Sequence, residues 1–165
     1  MKEYKPTSYT TQVPVEKTVL DIERLLQRAG ASKIAKDYAA DGRVIGFYLA
    51  LLTRRGELTF RMPCEPEKVY PLLQGGKKWL NAQQRKRLTE QSERVAWRVL
   101  LTWTSAQISM IKMEQVTPEQ AFFSYAYDPM TRETLFEKLE RRNFLMLGAP
   151  KEEAEGEFIE VTQGG

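Results

Sequence analysis

The chain has 165 residues and a formal net charge of +3, with 42% hydrophobic and 28% charged residues. That length suits one domain with a core of useful size. The lack of histidine removes imidazole bases, Ser-His triads and most zinc sites, and a single cysteine removes any disulfide framework or Cys-cluster metal site.

No apolar run reaches the roughly 20 residues a membrane helix needs, and the opening MKEYKPTSYTTQ lacks the apolar stretch of a signal peptide. A reducing, cytoplasmic setting and no membrane contact are therefore expected. From Tyr4 to Val13, β-branched and polar residues alternate, which predicts a first strand, kept to an edge by Pro6. The period then changes. Val15, Val19, Ile22, Leu26 and Ala29 recur at helical spacing, with Pro14 at the start and Gly30 as the left-handed stop. Ala31 to Tyr38 is the weakest strand candidate, interrupted by Lys33, Lys36 and Asp37. A turn at Ala40-Asp41-Gly42 leads into Val44–Leu52, which is apolar on both alternating sets and so reads as covered on two sides or set at a dimer seam. After Arg54-Arg55-Gly56, residues Leu58, Phe60 and Met62 alternate with polar ones until Pro63.

A connector from Cys64 to Gly76 holds one short helical turn around Val69 to Leu73, and Gly75-Gly76 forms a hinge. Asn81 is the natural cap of a long helix running to about Met113. Its expected stripe is Leu88, Ser92, Val95, Val99, Trp103, Ala106, Met110 and Met113, with Trp97, Leu101, Ile108 and Ile111 as a second set. Apolar nearly all round, its later part should be buried. Thr117-Pro118-Glu119-Gln120 is a capping-box start for a helix carrying Phe122, Phe123, Tyr125 and Tyr127, broken at Asp128-Pro129. A final helix from about Thr131 to Arg142 follows. The fold class is α+β: a small antiparallel sheet of three to four strands covered by the N-terminal helix, then a helical part with one long helix. Residues 1–147 read as a single domain, with a sheet-bearing half over 1–74 and a helical half over 77–147. Residues 148–165 read as an acidic, disordered tail.

Charge is unevenly placed. The stretch from Lys77 to Arg98 sets seven cations against Glu90 and Glu93, a net +5, whereas the tail from Gly148 sets one lysine against five glutamates, a net −4. A basic segment beside an acidic tail is common in proteins that touch nucleic acid, where the tail competes with phosphate; a solvated helix face and a tail kept for solubility explain it equally well. Lys77, Lys78, Trp79, Arg85, Lys86 and Arg87 combine cations for phosphate with an aromatic on which a base could stack. The structural alternative is that Trp79 packs on the body and anchors the hinge. Arg54 and Arg55, with Arg43 and Arg61, could extend the same groove over the sheet or be ordinary surface residues.

Catalytic signals are weak. There is no GxxxxGK[ST] or GxGxxG, and Gly75-Gly76-Lys77-Lys78 before a helix is only an incomplete anion cradle. Glu65-Pro66-Glu67-Lys68 has the acid-plus-lysine flavour of a metal-dependent nuclease but reads better as a surface turn. Cys64 has no histidine to activate it. No catalytic residues, metal or cofactor are expected, and an enzyme is disfavoured.

Several segments resemble a family of small proteins encoded in phage and prophage genomes: VEKTVLDIERLLQRAGASKI, GELTFRMP, QQRKRLTEQSERVAWRVLLTWTSAQISMI and VTPEQAFFSYAY, together covering most of residues 9–127. The resemblance carries no catalytic motif. It implies a mobile-element origin, action in the cytoplasm of a bacterial host cell, and a role near replication or recombination. The resulting expectation is a non-catalytic nucleic-acid-binding protein, favouring single-stranded or unspecific DNA. The alternative is an effector or inhibitor that binds a host or phage protein, and surplus apolar surface could equally form a homo-oligomer seam.

Overall fold

The computed structural model describes residues 5–76 and 78–144. Its elements run α1 (Val15–Ala29), β1 (Ala31–Tyr38), β2 (Val44–Thr53), β3 (Gly56–Arg61), α2 (Pro66–Gln74), α3 (Ala82–Lys112), α4 (Pro118–Phe122), β4 (Tyr127–Asp128), β5 (Glu133–Thr134) and α5 (Leu135–Arg141). The chain is α+β, as its periodicities imply: an N-terminal helix, an antiparallel β1-β2-β3 sheet and a long helix in the second half.

α1 buries Thr18, Val19, Ile22 and Leu26 on one stripe and stops at Gly30, whose φ of 97° is a conformation other residues rarely adopt. β1 follows at once and is a full eight-residue strand. Lys33 and Lys36 do not interrupt it, because each side chain is led away to a carboxylate: Lys33 to Glu57 at 2.6 Å, and Lys36 to Glu23 of α1. The β1–β2 turn is closed by the Ala39 amide donating to the Arg43 carbonyl at 2.8 Å.

The register places Ile34 beside Leu49 and Leu49 beside Phe60 on the face turned to the helices. Phe47, Leu49, Leu51, Phe60 and Met62 from that face meet Val19, Ile22 and Leu26 of α1, Trp97, Leu100 and Ile108 of α3, and Phe122. Phe47 and Trp97 pack edge to face with ring centres 6.2 Å apart, and Phe60 lies 5.6 Å from Phe122. β2 is not covered throughout, since Ile45 and Leu52 are exposed near its two ends.

Four expectations require correction. Residues 7–10 form a turn rather than a strand: the Tyr9 amide donates to Pro6, the Thr11 amide to Ser8, and the Gln91 side chain takes the carbonyls of Tyr9 and Thr11. The connector holds a nine-residue helix, α2, ended by Gly75 in the left-handed conformation. The helix begun at Pro118 stops at Phe122, and a two-stranded β4–β5 hairpin stands before α5, whose cap is Thr134 with Glu137. The fourth concerns α3. Its buried side chains Ser92, Ala96, Leu100, Thr104 and Ile108 follow one another at i+4, while Val99, Met110 and Met113 of the expected stripe are exposed. Val95 and Trp97 are buried beside this row, so α3 buries one broad side rather than its whole circumference.

Candidate nucleic-acid interface

Gly75 and Gly76 both have positive φ, 57° and 70°, and turn the chain out of the end of α2. Asn81 then caps α3: its side chain accepts from the Gln84 amide at 2.8 Å, and the Gln84 side chain accepts from the Asn81 amide at 2.9 Å. The cap matters here because every residue from Asn81 to Arg87 is exposed, so little burial holds the opening turn of the helix.

This tip of α3 carries most of the sequence-derived site. Trp79 is 92% exposed, which removes the alternative in which it packs on the body. Lys78, Arg85, Lys86 and Arg87, close to it in the chain, are exposed, and none forms an ion pair among the described residues. Lys77 lies outside the described residues. Because successive helical positions are about 100° apart, Arg85, Lys86 and Arg87 form a collar around the tip rather than a stripe down one side. Glu90 stands one turn further on and tempers Lys86 and Arg87. The partial positive charge of the helix N-terminus adds to the field.

The cations nearer the body are differently placed. Arg43 is held by Asp41 at 2.6 Å and also pairs with Glu93; Arg61 pairs with Glu137, and Arg98 approaches Asp21 at 3.9 Å. Within the basic stretch the cations of the first turn of α3 lack ion pairs among the described residues, whereas further along Arg94 donates to the Gln91 side chain at 2.7 Å and Arg98 comes near Asp21.

Arg54 and Arg55 do not join the tip. They border a groove of about 620 Å³ lined by Ile111, Val116, Pro118 and Glu119 at the opposite end of α3. The 25 residues from Lys86 to Ile111 place the two groups about 38 Å apart along the helix. Arg54 also faces Glu119, whose carboxyl is held below its ordinary range by hydrogen bonds at the α4 N-terminus, with a smaller contribution from the Arg54 charge. A continuous groove from the tip over the sheet is not what this arrangement provides. Its turn position shows that Arg54-Arg55 is exposed, but not which end of a helix 50 residues later it will meet.

Elsewhere the chemistry is muted. Burial pushes the Cys64 thiol up to about 12, with Glu65 and Glu67 adding to the effect, so it stays protonated and poorly nucleophilic. Glu65 is tied to Lys68 at 2.6 Å on the first turn of α2. Among the described residues no group of three His, Cys, Asp or Glu side chains is arranged to hold a metal ion, and no helix is long and apolar enough to cross a membrane. A groove of about 960 Å³ between the sheet, α2 and α5 is lined by Asp37, Glu65, Glu67, Glu137 and Glu140 against Arg61 and Lys68, a sign unsuited to phosphate.

Comparisons with protein-family models, curated proteins and solved structures each found no match. The resemblance to phage-encoded proteins thus rests on the quoted segments alone.

Proposed function

We propose that this chain is a non-catalytic nucleic-acid-binding protein of phage type that engages single-stranded or unspecific DNA through the tip of α3. The observation that carries this reading is a 92%-exposed tryptophan flanked by four described cations without acidic partners. An indole standing clear of the body costs apolar hydration and contributes nothing to the core, but it offers a stacking face to an unpaired base. Lys78, Arg85, Lys86 and Arg87, with Lys77 next in sequence, would neutralise phosphates. Their collar arrangement suits a flexible strand that can wrap a helix tip better than a rigid duplex groove. Action in the host cytoplasm, near replication or recombination, follows from the phage resemblance.

The test is fluorescence anisotropy with a labelled oligothymidine across a salt series. Four phosphate contacts give log K a slope of about −3 against log salt. Trp79→Ala should weaken binding roughly five- to a hundredfold, and joint reversal of Arg85, Lys86 and Arg87 should abolish it. Binding indifferent to both changes, or none at low salt, overturns the reading.

A protein-binding role is the second reading. It is favoured by the groove at the other end of α3, where Leu52, 73% exposed, stands beside Ile111, Val116 and Pro118. Capture of a host protein that survives nuclease treatment and is lost on Leu52→Asp would favour it over the first.

A further inference from the structure

The two edges of the β1-β2-β3 sheet are treated differently. The outer side of β3 is occupied: Phe60 bridges to Ala126, Leu135 donates to Ala126 at 2.8 Å, and Arg61 pairs with Glu137 of α5. Among the described residues no strand pairs with the outer side of β1. The Phe47 carbonyl accepts from Met62 at 2.8 Å, so Phe47 turns its peptide groups toward β3, and alternation turns those of Gly46, Tyr48 and Ala50 toward β1. Their partners are Asp37, Ala35 and Lys33. Ile34 and Lys36 therefore point their N–H and C=O groups away from the sheet, and among the described residues nothing receives them.

An open edge is normally guarded by lysines projecting over it, by proline or by a bulge. Here both lysines are drawn inward to Glu57 and Glu23, proline is absent from β1, and the irregularities lie at its ends, leaving Lys33 to Asp37 regular. We propose that this edge pairs with β1 of a second copy of the chain, antiparallel and centred on Ala35, to give a six-stranded sheet.

The register follows from charge and hydrogen bonding together. Centring on Ala35 sets Ile34 opposite Lys36 of the other copy, and these are the residues whose peptide groups are free, so the pairing forms two rings of N–H···O=C bonds. It sets Ala35 against Ala35 where strands approach most closely, and a small side chain fits there. It sets Lys33 against Asp37 twice on the sheet face away from the helices, where the opposite charges attract once Lys33 turns from Glu57 and Asp37 from the Tyr48 hydroxyl, which each holds in the single chain. Centring on Lys36 would instead oppose lysine to lysine. One short edge buries little area, so the association is of the weak, concentration-dependent class.

Sedimentation across a concentration series should show a monomer–dimer equilibrium, and the amides of Ile34 and Lys36 should exchange more slowly as concentration rises. Lys36→Pro removes an outward N–H that the sheet itself does not use and should leave a monomer. Asp37→Lys, which needs no backbone change, should weaken the dimer roughly tenfold, a loss of about 1.4 kcal/mol; Lys33→Asp combined with Asp37→Lys should recover most of it. Circular dichroism establishes that each variant is folded. A monomer at every concentration overturns the proposal, as does a dimer unmoved by Asp37→Lys. Protection of both amides independent of concentration also overturns it, because the edge would then be covered within a single chain.

Discussion

The two parts of α3 obey different physics within one uninterrupted helix. From Ser92 to Ile108 the helix is held by what it buries: Val95, Trp97 and Leu100 are nearly inaccessible, and Trp97 lies against Phe47. From Ala82 to Arg87 nothing is buried, and the turn exists because Asn81 and Gln84 satisfy each other's backbone amides. A turn that buries nothing is free to present cations in all directions; a turn that packs must give its surface to the core. Stability and surface charge have thus been separated along the axis rather than across it.

Truncating Leu100 to alanine removes a buried side chain and leaves a cavity, so denaturant unfolding should show a loss of about 2–5 kcal/mol. Trp79→Ala, the larger deletion by volume, should stay within about 0.5 kcal/mol of the parent because Trp79 touches so little. Equal losses for the two would erase the distinction.

Asn81→Ala should cost about 1 kcal/mol, confined to the tip. Amide exchange would quicken at residues 83–85 while the turns around Trp97 stay protected. Thr104 sharpens the contrast from the other side. Its hydroxyl is fully buried with no hydrogen-bond partner among the described residues, so Thr104→Val should raise the unfolding midpoint, by an amount equivalent to about 1 kcal/mol.

The smallest effect concerns acid. Lys138 beside Asp128, with help from the Met130 amide, lowers the Asp128 carboxyl from 3.8 to about 2. A depressed folded-state pKa contributes stability above the ordinary carboxylate range and loses it as pH falls toward the lowered value. Acidification from pH about 4 to 2 should therefore loosen the β4–β5 hairpin slightly. NMR shifts of Met130 and Thr134 would follow that titration, and Asp128→Asn should abolish it.

Much of this architecture was legible locally. The caps at Asn81 and Thr117 are made between residues three apart, so their side-chain types announce them. The α1 stripe, the Gly30 stop and the meander of β2 and β3 likewise depend on spacing within a single element. The Thr134–Glu137 cap was equally visible in type, but the helical pattern extended back to Thr131 masked it. For the candidate site, the cluster from Lys78 to Arg87 could be read because its members are consecutive, whereas its exposure could not.

Partners distant in the chain settled the rest. The Gln91 side chain decides that residues 9–11 are not a strand, and Glu23 and Glu57 decide that Lys33 and Lys36 can lie in one. The side that α3 turns to the core draws on both apolar sets, and the fold sets Arg54 and Arg55 at the far end of the helix from Trp79. Capping and periodicity are contests within a few residues of sequence. Which face is buried, and which cation finds an acid, depends on elements that meet only after the chain has folded.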